Sequence, residues 1–159
     1  MGGQIWLDSE FEKGSTFYFS IPYHAVNEVD DNDLLLNKNK FNILVAEDEQ
    51  YNYLYIEELL NNLDYNLSHA KDGKEAIEIC KSNPTINLVL MDIKMPLIDG
   101  YQSAIQIKAF RPNLVIIAQT AYALEHEKEK YNDIFDDYIT KPIKEAELRQ
   151  KVMKYVENK

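Results

Sequence analysis

The sequence predicts an α/β fold, a five-stranded parallel sheet with helices on both faces, preceded by a β-hairpin. Three observations lead there. From Phe41 onward, short apolar runs alternate with segments of helical periodicity, the pattern of strands joined by crossover helices. Those runs are almost continuously apolar, as strands covered on both faces require. Before Phe41 the pattern changes: residues 4–21 alternate with a period of two, a hairpin signal.

In the hairpin, Ile5 and Leu7 share one face of the first run, opposite Gln4, Trp6 and Asp8. Phe17, Phe19 and Ile21 share a face of the second, opposite Thr16, Tyr18 and Ser20, and Glu12-Lys13-Gly14-Ser15 supplies the turn. A lone hairpin is marginal in water, so this one is expected to belong to a larger sheet. Gly2-Gly3-Gln4-Ile5-Trp6-Leu7-Asp8-Ser9-Glu10, with Gly14-Ser15-Thr16-Phe17-Tyr18-Phe19, resembles the closing hairpin of the ATP-binding domain of sensor histidine kinases. The nucleotide-binding boxes of that family lie upstream and are absent here, so ATP binding is not expected. Residues 23–40 are polar and acidic, interrupted by Leu34-Leu35-Leu36, and read as a linker.

The first strand of the main domain is Phe41–Ala46. Ile56, Leu59, Leu60 and Leu63 then stand at i, i+3, i+4, i+7, placing a helix over roughly 50–62. A weaker strand covers Asn66–Ala70, and Ala76, Ile77 and Cys80 mark a short helix that stops by Pro84. Leu88–Asp92 is the third strand, Gly100–Phe110 a helix, Leu114–Ala118 the fourth strand and Leu124–Lys130 a polar helix. Asp137–Thr140 is the fifth strand, and Leu148, Val152, Tyr155 and Val156 form the inner face of the last helix.

Lys and Arg number 17 against 27 Asp and Glu, a net charge of −10. That balance argues against nucleic acid or an anionic membrane as a direct partner. With Cys80 the single cysteine, there is no disulfide framework and no cysteine metal cluster, which fits a reducing, cytoplasmic setting. No apolar run is long enough to span a bilayer, and Met1-Gly2-Gly3-Gln4 does not begin a signal peptide.

In a parallel α/β sheet the ligand site lies beyond the C-terminal strand ends. There the first strand runs into Glu47-Asp48-Glu49 and the third ends in Asp92. The fourth is followed by Gln119-Thr120 and the fifth by Lys141-Pro142. Two carboxylates about 4 Å apart repel by about 4 kcal/mol at an effective dielectric of 20. Lys141 offsets one charge, and a hard divalent cation such as Mg²⁺, which takes one or two carboxylates, water and phosphate oxygens, would offset the rest. The set suits phosphoryl transfer, in which positioning and charge stabilisation carry most of the catalysis. A carboxylate attacks, an ammonium and a cation neutralise the phosphoryl oxygens, and a hydroxyl donates to one of them. A merely solvated acidic loop is the bland alternative. Acids on two strands, a hydroxyl on the next and a lysine on the last argue against it.

With these residues in place, 41–159 resembles a receiver (response-regulator) domain of two-component signalling, a flavodoxin-like fold with strand order 2-1-3-4-5. The resemblance implies that Asp92 is the phosphoacceptor, that Asp48 and Asp92 ligate Mg²⁺ (or Mn²⁺) directly, and that Glu47 acts largely through water. The backbone carbonyl of Lys94 would complete the protein ligands. Thr120 would be the switch hydroxyl, Lys141 the phosphoryl-holding lysine with a cis bond to Pro142, and Tyr138 the aromatic switch residue. Met95-Pro96 and Asp99-Gly100 match the family's loop, and Asn52 resembles receivers of hybrid histidine kinases. Asp133-Ile134 departs from the Ala-Gly found in many members, and Glu49 stands where Asn is common.

The resemblance further implies transfer from a phosphohistidine, on a kinase dimerisation domain or a separate His phosphotransfer protein. A shift of the surface made by the fourth helix and fifth strand would follow. Whether the domain counts as an enzyme stays open, since self-dephosphorylation is its only implied turnover. The implied parent is a hybrid histidine kinase, cytoplasmic or the cytoplasmic part of a membrane-anchored sensor, with this domain a monomer or weak dimer and no output domain following. A phosphorylation-independent interaction module is the main alternative. A flavodoxin-like cofactor binder is disfavoured, because Glu47-Asp48-Glu49 would repel phosphate. A hydrolase using an aspartyl-phosphate would reveal itself by turnover of phosphoesters.

Other residues carry weaker signals. His24, His69 and His126 lack ligand spacing and read as structural. Cys80 reads as core. Tyr51, Tyr53 and Tyr55 read equally well as partner surface or as packing. Lys94 and Tyr122 would flank the acid pocket and shield an acyl phosphate.

Overall fold

The computed structural model describes residues 3–10, 14–20, 40–61, 63, 65–121 and 134–156, which fall into two compact units. The turn residues Glu12 and Lys13, the linker up to Asn39, the helix expected at Leu124–Lys130, and Tyr122, Asp133, His24 and His126 lie outside the described residues.

The N-terminal unit is the antiparallel pair β1 (Ile5–Glu10) and β2 (Gly14–Phe19). Its register runs from Ile5 opposite Phe19 to Glu10 opposite Gly14. Gly14 opens β2 at φ 103, a left-handed conformation that glycine reaches without steric cost. The faces are those expected: Trp6 stacks on Tyr18 with centroids 5.6 Å apart. Ile5 and Leu7 oppose Phe19 and Phe17, and all of these apolar side chains are exposed within the unit.

The second unit holds β3 (Phe41–Ala46), α1 (Gln50–Leu60), β4 (Tyr65–Ala70), α2 (Gly73–Ser82) and β5 (Ile86–Asp92). It continues with α3 (Gly100–Phe110), β6 (Val115–Thr120), β7 (Asp137–Thr140) and α4 (Glu145–Val156). The strand order is β4-β3-β5-β6-β7, all parallel, which is the order 2-1-3-4-5 within the unit. One core cluster joins Leu44, Val89, Met91 and Ile116 to Ala76, Ile77, Cys80, Ala104 and Ile107 of α2 and α3. The other joins Ile43, Val45, Leu90, Ile117 and Ile139 to Ile56, Leu60, Leu148 and Val152 of α1 and α4. The Cys80 thiol is core as expected: burial pushes it up to about 11, although Arg111 pulls the other way.

Two helix starts are written in the sequence. Asp72 caps α2 by accepting from Glu75 N at 2.9 Å, while the Glu75 carboxylate accepts from Lys71 N at 2.7 Å. Asp99 caps α3 by accepting from Gln102 N at 2.7 Å. The next residue, Gly100, has no room for a side chain, because a Cβ there would collide with the Asp92 backbone. The Asp99-Gly100 pair therefore both starts α3 and lets it pass hard against the end of β5.

Strand ends differ modestly from expectation. β6 extends through Gln119 and Thr120, which the sequence placed after the strand. An apolar run stops at its first polar residue, but the ladder continues, pairing Gln119 with Asp92 on one side and Ile139 on the other. β5 likewise begins at Ile86 rather than Leu88, with the Asn87 side chain accepting from Asn42 N at 2.8 Å. α1 ends at Leu60, two residues early, with Asn61 as its C-cap.

Candidate functional site

The parallel strands deliver four chemically distinct groups to one rim. β3 runs straight into Glu47, buried, and Asp48, exposed. β5 ends in Asp92, 6% exposed, and β6 in Thr120, 8% exposed. Lys141 follows β7 directly, and its bond to Pro142 is cis. Carboxylate oxygens of Glu47, Asp48 and Asp92 all lie within 4.8 Å of one another.

Lys141 is the hub. Its ammonium donates to Glu47 Oε2 at 2.7 Å and to Asp92 Oδ2 at 2.5 Å. Burial by itself would lower its pKa, but the hydrogen bonds to Asp92 and Glu47 outweigh burial and hold the ammonium above the ordinary lysine range. Among the described residues, the three clustered carboxylates outnumber the one ammonium bonded to them, and the cluster carries excess negative charge. The donor set is all hard oxygen, so a divalent cation of the Mg²⁺ type fits it in charge and in chemistry.

The two buried acids are held from behind. Asp92 Oδ1 accepts from the backbone N–H of Lys94 at 3.0 Å, which folds the loop after β5 back toward the Asp92 carboxylate. Asn52 Nδ2 of α1 donates to Glu47 Oε1 at 2.8 Å. His69, at the end of β4, sets its Nε2 2.7 Å from the Glu47 carbonyl and stacks on Tyr53 at 4.0 Å between centroids. His69 thus steadies the acidic loop, a role its sequence position did not reveal. Its place at the C-terminal end of a strand beside β3 was the available signal. Tyr53 also donates to Glu57 at 2.8 Å, and burial with that contact pushes its phenol up to about 12. Tyr55 donates to the Ile143 carbonyl at 3.1 Å. Of the three tyrosines on α1, Tyr51 is the most exposed, at 84%.

A cavity of about 150 Å³ opens between Asp92, Lys94, Gln119, Thr120 and Lys141. Gln119 is fully buried, and neither its amide nitrogen nor its carbonyl oxygen has a hydrogen-bond partner among the described residues. Burial of such a group without a partner costs about 1–3 kcal/mol. The loop after β5 carries a second cost, since Leu97 takes φ 67 with its side chain 85% exposed.

Tyr138 lies apart from the acids. It is half-buried against the α2/α3 cluster, with its ring edge-on to Phe135 at 5.8 Å. The acids before it serve structure. Asp136 accepts from Ile116 N and from Lys108 Nζ, both at 2.8 Å. Asp137 accepts from Lys151 at 2.6 Å and Lys154 at 3.1 Å. No helix among the described residues is long and apolar enough to cross a membrane.

Fold and site together define an α/β domain with an acidic, cation-ready rim around two buried carboxylates, Glu47 and Asp92, bridged by Lys141. The family model described as "Response regulator receiver domain" matches residues 43–153, and the chain belongs to this family, the receivers of two-component signal transduction. It is 34% identical over 128 residues to hybrid signal transduction histidine kinase I of Dictyostelium discoideum, covering 72% of this chain and 7% of that protein. It is 32% identical over 163 residues to the aerobic respiration control sensor protein ArcB of Escherichia coli, covering 98% of this chain and 21% of that protein. The chain therefore spans about a fifth or less of these relatives.

Among solved structures, the receiver domain of the sensor histidine kinase PA1611 from Pseudomonas aeruginosa, with magnesium coordinated in its active-site cleft, matches with TM-score 0.67 and 32% identity. That match covers 74% of this chain and 98% of the other. The receiver domain of Ssk1 in complex with the histidine phosphotransfer protein Ypd1, from Saccharomyces cerevisiae, matches with TM-score 0.68 and 28% identity, covering 73% and 88%.

Proposed function

We propose that Asp92 is the phosphoacceptor of this receiver and that residues 41–159 form the phosphorelay domain of a hybrid histidine kinase. The observation that carries the reading is the pairing of buried Asp92 with Lys141 beside two further carboxylates. An Asp92 carboxylate oxygen attacks the phosphorus of a phosphohistidine. The P–N bond breaks, the imidazole leaves with its electron pair and takes up a proton, and an acyl phosphate forms. Hydrolysis unloads the domain: a water oxygen attacks phosphorus, the P–O bond to Asp92 breaks, inorganic phosphate and a proton are released, and the Asp92 carboxylate is restored.

Lys141, already beside Asp92, neutralises the phosphoryl oxygens, and the hydroxyl of Thr120, which lines the same cavity, donates to one of them. Glu47, Asp48, Asp92 and the Lys94 carbonyl would hold Mg²⁺ (or Mn²⁺), Glu47 largely through water. When bound, the cation supplies charge neutralisation at the phosphoryl group. Inward movement of Thr120 lets Tyr138 follow and biases the surface made by β7 and the helix expected over Leu124–Lys130.

The phosphodonor is a histidine on a kinase dimerisation domain or on a separate phosphotransfer protein, and the complexed receiver among the structural relatives supports that class of partner. The exposed Tyr51, with Leu54 and Tyr55 on α1, offers a docking face beside the acids. Residues 1–22 are read as the end of a kinase ATP-binding domain and 23–40 as a linker, a reading supported by the ArcB match across 98% of the chain. The setting is cytoplasmic, without direct contact to nucleic acid or membrane, and the domain is a monomer or weak dimer.

Intact-mass measurement after Mg²⁺ and a small phosphodonor tests the core of this reading. One added phosphoryl group is expected, and none in Asp92→Asn. Unchanged labelling of that variant would overturn the assignment. No labelling of the wild type would favour a phosphorylation-independent interaction module.

A further inference from the structure

We infer that Gln119 is a positioning residue of the phosphoacceptor pocket, its side-chain carbonyl holding the Lys141 ammonium once the carboxylates are taken up by a cation. The inference rests on the phosphoacceptor reading above. It starts from sheet geometry. Ile117 packs in the same cluster as Leu90 and Ile139. Side chains alternate along a strand, so Gln119, two residues past Ile117, shares a face with Asp92, two past Leu90, and with Lys141, two past Ile139. Asp92 and Gln119 are direct register partners, and both line the cavity with Lys141.

Gln119 is the buried side chain of the described pocket whose amide atoms have no partner. Buried amides are otherwise hydrogen-bonded, and an apolar residue of the same length would avoid the cost. Lys141 supplies the reason to keep it. An ammonium has three donors, and two of them go to Glu47 and Asp92. A divalent cation on those carboxylates competes for the same oxygens. Lys141 then needs a neutral acceptor that keeps it over Asp92 without binding the cation in its place. An amide oxygen directly opposite Asp92 in the register, on a side chain lining the same cavity as Lys141, meets that need. The amide nitrogen, donor only, suits incoming phosphoryl oxygens.

The test compares the whole chain as wild type, Gln119→Met and Gln119→Leu. The melting temperature is read with and without Mg²⁺ plus beryllofluoride, a phosphoryl mimic, and the rate of Asp92 phosphorylation by phosphoramidate is followed alongside. Both variants are expected to melt at or above the wild-type temperature when empty, because the orphaned amide is gone. The rise on adding Mg²⁺ and beryllofluoride should nevertheless fall by about half, and phosphorylation should slow about tenfold, the scale of one hydrogen bond to a charged group. In a Lys141→Ala background the same Gln119 substitutions should add little, since the residue acts through the lysine. A glutamine with a merely structural role would change the empty melting temperature alone. Equal ligand-induced rises and equal rates in either folded variant, or full additivity with Lys141→Ala, would overturn the inference. A wild type that takes no phosphoryl group would instead overturn the pocket reading itself.

Discussion

The two ends of the parallel sheet are built from the same strands and treat polar groups in opposite ways. At the N-terminal end, Asn66 donates to Asn42, Asn42 donates to the Thr85 carbonyl, and Asn87 accepts from Asn42 N, at 2.8–3.1 Å. Arg111 spreads its guanidinium over the carbonyls of Cys80, Asn83, Pro84 and Ile86. At the C-terminal end, three carboxylates crowd together and two of them share the Lys141 ammonium, the Gln119 amide has no partner among the described residues, and Leu97 is held at a positive φ. Unmet polar groups and strained backbone persist where binding makes use of them. One end closes the fold, and the other is left incomplete in a way that a cation and a phosphoryl group would complete.

That contrast can be broken from either side. The largest effect is expected from Lys141→Met, which removes the ammonium bonded to Glu47 and Asp92: phosphorylation by a small donor should slow at least about 100-fold in a time course followed by intact mass. Stability should drop as well, and Mg²⁺ should restore part of it by replacing the lost charge. Arg111→Ala should do the reverse. Chemical denaturation is expected to show a loss of about 2–4 kcal/mol, because carbonyls at a partly buried corner lose their donor, while the phosphorylation rate of the folded fraction stays as in the wild type. A rate change in Arg111→Ala would show that the two ends are coupled.

Smaller effects sharpen the picture. Leu97→Gly should stabilise by about 0.5 kcal/mol, the left-handed strain relieved less the extra freedom of glycine in the unfolded chain. Asp137→Asn removes two ion pairs outside the pocket, and its cost should stay under about 1 kcal/mol. Burial raises the Asp137 carboxyl, but hydrogen bonds from Lys151, Tyr138 N and Lys154 outweigh it and bring the pKa below 3.8. A depressed folded pKa means that this stabilisation is present above the unfolded value and is lost as pH falls through the folded one. The wild-type advantage over Asp137→Asn should therefore vanish in denaturation curves taken well below pH 3.8. An advantage that persists there would assign it to packing.

Much of the site was legible because parallel strands bring their C-terminal ends to one rim whatever the intervening distance in sequence. Glu47, Asp48, Asp92, Thr120 and Lys141 could be gathered on that rule alone. Their supports could not. His69 and Asn52 reach Glu47 from another strand and from a helix, and a contact set by side-chain direction leaves no mark on spacing. Gln119 was read only as the residue after a strand, because a polar residue ends an apolar run although it does not end a ladder. Nor did the sequence signal the partners that the Tyr53 and Tyr55 hydroxyls reach, Glu57 and the Ile143 carbonyl.

The sequence by itself determined the alternation of strands and helices, the caps at Asp72 and Asp99, and the types of group at the rim. Each of these follows from local periodicity or from a side chain bonding its own backbone neighbours. Only the tertiary structure decided that Lys141 bridges Glu47 and Asp92, that Gly100 must lack a side chain because α3 passes against Asp92, and that Gln119 is buried without a partner among the described residues. Those facts depend on distances between segments far apart in the chain, which are set by how two helical layers close on one sheet.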